Sequence, residues 1–295
     1  MKNSTKLFNS VETGQFELLD SIDKGSISIS YKPRSNGKVK KILIKKLKNQ
    51  YIIESYENFE NDKNDEKLVN LKEFKKNILK RDYFSESLIC FISYQILNGL
   101  KYIHNNKVVH LDIKPENIVI DEYLNIKLIN FSLSSDYSKA KFNKIKIHFV
   151  GTSNYIAPEI LSHKAIDLKD LNKVDLYSLG VTIFKLAFNS YPYGLKDGDN
   201  EENQEYDIIL KNIENESVGL ADTEVGYSSY FIDFLNRLLE KDIKKRININ
   251  EALDHYWIKG AKILNDEKEN LYDSKKFLEN LIYNNLINYN QYIKI

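Results

Sequence analysis

The chain has 295 residues, 42% hydrophobic and 29% charged, the composition of a globular protein long enough for one large domain or two lobes. Its 43 Lys and Arg nearly cancel its 42 Asp and Glu, leaving a net charge of +1. That balance gives no general electrostatic reason to bind nucleic acid or an anionic membrane.

The single cysteine, Cys90, excludes an intramolecular disulfide and, flanked by Ile89 and Phe91, reads as a small core residue. Met1 to Ser10 has no apolar signal core. The longest apolar stretch, Tyr177 to Phe188, carries Lys185 and is too short to span a bilayer. The expectation is a soluble intracellular protein, of cytoplasm or nucleus, that binds neither nucleic acid nor membrane.

Phe16 to Ile22 reads as a first strand, Asp23 to Ser26 as a turn, and Ile27 to Lys32 as a second strand. Asn36-Gly37 signals a hairpin into a third strand, Val39 to Leu47. Tyr51 to Ile53 is ambiguous between strand and helix, and Asn61 to Lys67 reads as an exposed loop. Leu71 to Leu79 is a short helix. Ser85 to Asn105 is a longer one, with Ser85 as N-cap and Leu88, Phe91, Ile92, Ile96, Leu100 and Ile103 at helical spacing. A strand over Ile118 to Ile120 and a long loop from Asn130 to Glu159 follow. Then come helices over Val174 to Phe188, Tyr206 to Ile213, Ser229 to Leu239 and Asn250 to Ile258, and a helical tail within Glu267 to Ile295. Strands first and helices afterwards predict an α+β fold.

The stretch richest in chemistry is His110-Leu111-Asp112-Ile113-Lys114-Pro115-Glu116-Asn117, set between the long helix and a strand. It resembles the catalytic loop of eukaryotic protein kinases, H-R-D-x-x-x-x-N, with Leu111 where arginine belongs. Other segments match the same family in order. Ile42-Leu43-Ile44-Lys45 is similar to V-A-I-K, Gly151 to Glu159 ends in Ala157-Pro158-Glu159, and Asp175-Leu176-Tyr177-Ser178-Leu179-Gly180 is similar to D-x-W-S-L-G. The resemblance covers about residues 16–260 and implies a bilobal fold. A reduced sheet lobe (about 16–70) would precede a helical lobe (about 71–260), flanked by an extension (1–15) and a tail (261–295). The short interval from Lys45 to His110 puts in question the helix that normally pairs the lysine with a glutamate.

The resemblance assigns roles residue by residue. Asp112 would orient the substrate hydroxyl, Lys114 would place charge on the moving phosphoryl group, and Thr152 would contact both, as in the serine/threonine branch. Ile22, Gly25, Ser30 and Lys45 would hold ATP, and Asn117 and Asn130 would face Mg2+. His110, Phe131, Glu159, Asp175 and Arg246 would be structural, with Glu159 paired to Arg246 and Asp175 bonded to the catalytic-loop backbone.

The departures lie on the nucleotide and metal side. Asp-Phe-Gly becomes Asn130-Phe131-Ser132, and the glycine-rich turn reads Asp23-Lys24-Gly25-Ser26-Ile27-Ser28, keeping one glycine. A carboxylate against Mg2+ contributes several kcal/mol; if ~4 kcal/mol of that arose only in the transition state, its loss would slow transfer about a thousandfold. Leu111 cannot receive an activation-loop phosphate as arginine does. The expectation is a pseudokinase that binds or scaffolds and uses no cofactor. The competing reading is an active serine/threonine kinase using ATP and Mg2+ on a protein substrate.

Overall fold

The computed structural model describes residues 7–9, 15–20, 26–30, 49–52, 68–79, 84–121, 124–140, 143–147, 151–195, 202–219 and 226–261. Strand β1 (Leu7–Asn9) pairs antiparallel with β2 (Gln15–Asp20), and β2 with β3 (Ser26–Ser30). The segment read as an N-terminal extension thus contributes a strand. Its Leu7-Phe8 pair supplied too short a run for period-2 alternation to show. The expected third strand, Val39 to Leu47, lies outside the described residues, as do the Asn61 to Lys67 loop and the Glu267 to Ile295 tail.

The chain then builds its helical core. β4 (Val69–Asn70) leads into α1 (Leu71–Glu73), where the Asn70 side chain caps the N-terminus by accepting from the Glu73 N–H at 2.9 Å. The helix expected over Leu71 to Leu79 widens to π-helical turns across Phe74–Leu79. α2 (Glu86–Asn105) is capped by Ser85, which accepts from the Leu88 N–H. Leu88, Phe91, Ile92, Ile96, Leu100 and Ile103 are all at most 1% exposed. Each such side chain contributes ~1.5–3 kcal/mol.

After α2 come β5 (Val108–Val109), β6 (Ile118–Ile120) and β7 (Ile126–Leu128). β4, β6 and β7 form a three-stranded antiparallel sheet. Buried Gln95 of α2 locks its turn: its amide donates to the Leu124 carbonyl and its oxygen accepts from the Ile126 N–H, both at 3.1 Å. Residues 49–52 dock on β7, with the Leu128 N–H bonded to the Tyr51 carbonyl at 2.7 Å and Ile52 bridging in parallel. Gly99 makes this contact possible, since a Cβ there would lie 3.1 Å from that of Tyr51.

The segment from Asn130 to Glu159, expected as loop, carries two strands. β8 (Ser135–Asp136) pairs with β5, and β9 (Lys144–Ile147) pairs antiparallel with β10 (Ile166–Asp167) and parallel with β3. β8 is two polar residues that depend on a distant partner, whereas β9 carries a period-2 alternation, with Ile145 and Ile147 buried, that is short and set inside a polar segment. α3 (Pro158–Leu161) lies between β9 and β10. α4 (Lys173–Phe188) follows β10 and runs through the core. Gly180 lets α4 meet α6 (Ser229–Leu238): a Cβ there would sit 2.9 Å from Leu239 Cδ2. α5 (Glu202–Asn215) extends beyond the expected Tyr206 to Ile213. The helix expected over Asn250 to Ile258 breaks at His255 (φ −61°, ψ 140°) into α7 (Ile249–Asp254) and a helical stretch over 256–261.

Two buried clamps join these helices. The Glu86 carboxylate accepts from Trp257 Nε1–H at 2.9 Å and from the Ser228 N–H at 2.7 Å. Cys90, fully buried, donates from Sγ to the Trp257 carbonyl at 3.1 Å. The fold is α+β, with small, mainly antiparallel sheets and a helical core. Among the described residues no helix is long and apolar enough to cross a membrane.

Candidate active site

The loop between β5 and β6 is held from beneath by one carboxylate. Asp175, in the first turn of α4, is fully buried and accepts from the His110 N–H at 2.9 Å and the Leu111 N–H at 2.8 Å. A third bond joins its Oδ2 to His104 Nε2 at 2.8 Å, with the other His104 nitrogen buried and unpartnered. Burial alone would raise the Asp175 carboxyl, but the hydrogen bond and charge of His104, with the influence of His110, hold it below its ordinary value. These bonds secure Leu111 in a left-handed conformation, φ 67°, which costs a branched residue strain.

His110 lies on the same floor. Its Nε2–H donates to the Ile129 carbonyl at 3.0 Å, its Nδ1 accepts from the Asp112 N–H, and its ring lies 4.7 Å from that of Phe131. Burial pushes the imidazole below its usual pKa, against the opposing pull of Asp175. Gly151 closes the loop from the other side at φ 111°; a Cβ there would fall 2.6 Å from the Leu111 carbonyl oxygen.

Asp112, Lys114 and Thr152 come together on this support. Thr152 Oγ1–H donates to Asp112 Oδ1 at 2.9 Å, Lys114 Nζ lies 3.4 Å from Asp112 Oδ2, and Lys114 also donates to Thr152 Oγ1. A buried carboxylate beside a lysine and a hydroxyl can accept a proton from, and orient, an incoming alcohol. Glu116 turns outward to Lys72 of α1 at 3.0 Å.

Asn117 and Asn130 meet each other. The Asn117 amide donates to the Asp112 backbone carbonyl at 2.8 Å and to Asp112 Oδ2 at 2.6 Å. Only an NH2 group can make both bonds, so Asn117 Oδ1 must face away, where Asn130 Nδ2 donates to it at 3.1 Å. Asn130 Oδ1 in turn accepts from Ser132 Oγ–H at 2.7 Å. Asn130 itself is left-handed, φ 63°, a conformation asparagine tolerates better than most residues. Each oxygen expected to face Mg2+ therefore already accepts from a neutral donor. Among the described residues no group of three or more His, Cys, Asp and Glu could hold a metal. Mg2+ keeps most of its waters and is usually held through one or two carboxylates, and here two neutral amides bonded to each other stand in their place, so these residues do not fit the ion.

The remaining predicted residues fall into two groups. Glu159 and Arg246 form a buried two-pronged ion pair at 2.7 and 2.9 Å, with the guanidinium also bonded to the Lys173 and Glu240 carbonyls. Ser30 lies in β3, while Ile22, Gly25 and Lys45 lie outside the described residues. Sequence reasoning missed three side chains: His104 as a partner of Asp175, Ser132 as the donor to Asn130, and Glu86 as a helix clamp. His104 left one usable trace, a histidine ending a helix six residues before His110.

Comparison with known proteins gives this geometry a family. The protein kinase domain model matches residues 34–258. The chain is 30% identical over 231 residues to the MAP kinase kinase MKK1/SSP32 of Saccharomyces cerevisiae, covering 74% of this chain and 44% of that protein. It is 28% identical over 261 residues to the carbon catabolite-derepressing protein kinase of Candida glabrata, covering 86% and 39% respectively. Against the serine/threonine protein kinase OSK3 of Oryza sativa subsp. indica, 35% identity extends over 166 residues, 56% of this chain and 29% of the relative. The chain spans less than half the length of each of these relatives. With the domain model matching most of its length, the chain belongs to the protein kinase family.

Proposed function

We propose that this chain is a pseudokinase, a bilobal protein kinase fold that binds or scaffolds a protein partner and in which phosphotransfer is lost or very weak. The observation that carries the reading is Asn130, neutral where the family places an aspartate and hydrogen-bonded to Asn117, the asparagine that the family keeps. Chain length adds support. Only residues 46–48 separate Lys45 from the segment at 49–52 that docks on β7 and α2. Those three residues, Lys46, Leu47 and Lys48, include no glutamate to pair with Lys45. Glu54 and Glu57, the nearby candidates, lie outside the described residues.

A second reading, an active serine/threonine kinase using ATP and Mg2+, draws support from the assembled Asp112, Lys114 and Thr152. Thermal unfolding with ATP, with and without Mg2+, separates the two, since a bound ligand stabilises by mass action. The pseudokinase reading expects no magnesium-dependent rise in Tm. A rise of several degrees, with phosphate transfer abolished by Asp112→Ala, would establish the enzyme.

A further inference from the structure

Ser132, Asn130, Asn117 and Asp112 form a single run of hydrogen bonds with one direction. The Ser132 hydroxyl donates to Asn130 Oδ1, the Asn130 amide to Asn117 Oδ1, and the Asn117 amide to Asp112 Oδ2. Each amide is held in one orientation by its neighbours, because reversing either would set oxygen against oxygen. The run ends on the carboxylate and begins on a residue where the family places glycine, which has no hydroxyl to give. Replacing aspartate by asparagine alone would leave a neutral, rotatable amide. The added serine gives that amide's oxygen a donor.

We infer that this amide relay replaces the divalent-cation site, so that the polar groups around Asp112 are satisfied by the protein itself and the cleft is indifferent to Mg2+ and Mn2+. Three features combine to give that result. The relay is neutral except at Asp112, so no second protein charge attracts a dication. Both amide oxygens already accept from a donor, so an ion must compete with that donor for the oxygen's electron density and approach. The Asp112 oxygens accept from Thr152 and Asn117, with Lys114 at 3.4 Å, and the ammonium repels a dication. Aspartate at position 130 would undo the arrangement. It cannot donate to Asn117 Oδ1, which frees that oxygen, and it adds a negative charge beside it.

The inference deepens the pseudokinase reading and fails separately from it. Mn2+ is the probe, followed by electron paramagnetic resonance on the full chain, with and without a non-hydrolysable ATP analogue. The wild-type chain is expected to leave the free Mn2+ signal at the level set by Asn130→Ala, so that any uptake the two share lies elsewhere on the surface. Asn130→Asp is expected to bind about one further equivalent, at least tenfold more tightly than wild type. Stoichiometric Mn2+ bound by wild type and lost in Asn130→Ala would overturn the inference. So would a folded Asn130→Asp, checked by circular dichroism, that gains nothing. If Asn130→Asp does not fold, the comparison of wild type with Asn130→Ala decides alone. Cation binding without phosphate transfer would sink the relay and leave the pseudokinase reading standing; cation-independent transfer would do the reverse.

Discussion

Asp112 stands between two regions that differ in chemical character. On one side Lys114 and Thr152 bring a charge and a hydroxyl to its carboxylate, above a floor tied by Asp175 and by the Glu159–Arg246 pair. On the other side only amides and a hydroxyl follow one another. The first region keeps charge opposite charge; the second has none beyond Asp112. On the reading proposed above, the part of the site that the fold's own stability requires is kept while the part that serves only the reagent is rebuilt. Asp175 and Arg246 tie the core together whatever happens to nucleotide, whereas an aspartate at position 130 would face an uncompensated charge without a metal.

That contrast can be broken from the side of the floor. The largest effect is expected from Arg246→Leu, which strands the buried Glu159 carboxylate and should cost about 3–5 kcal/mol in urea unfolding. Asp175→Asn removes a charge accepting two backbone N–H groups and faces the His104 ring, with an expected loss of about 2–3 kcal/mol. A loss below ~0.5 kcal/mol in either variant would show that the floor does not carry the fold. Gly151→Ala sets a methyl group against the Leu111 carbonyl at a positive φ and should cost about 1–3 kcal/mol. A neutral result there would mean that the loop has room to relax.

The smallest effect concerns pH. His110 has a lowered pKa in the folded state, so the unfolded chain binds the proton first as pH falls below about 6.5. Its contribution is fully present above that value and is lost on acidification, at no more than about 1.4 kcal/mol per pH unit. Asp175 is also depressed and acts in the same direction, but only below about pH 4. Urea midpoints between pH 7 and 5 should fall for wild type and fall less for His110→Gln. Parallel curves would remove His110 as the source.

The sequence pattern made the helical core legible because it is written locally. The spacing of Leu88, Ile92, Ile96 and Ile103 needs no partner to reveal α2, and the order His110, Asp112, Lys114, Asn117 places the loop. What stayed hidden depends on distant pairing. β8 and β9 exist because β5 and β10 lie across from them, the break at His255 has no proline or glycine to announce it, and Ser132 reads as a lost glycine until its hydroxyl is seen against Asn130. The relay was thus half visible: two asparagines were expected near one place, but not that they would bond to each other.

The most direct test of the neutral cleft is phosphate transfer from labelled ATP in Mg2+ to a general protein acceptor, wild type beside Asp112→Ala. The account predicts that the two are indistinguishable. Magnesium-dependent transfer by wild type, absent from Asp112→Ala, would contradict it.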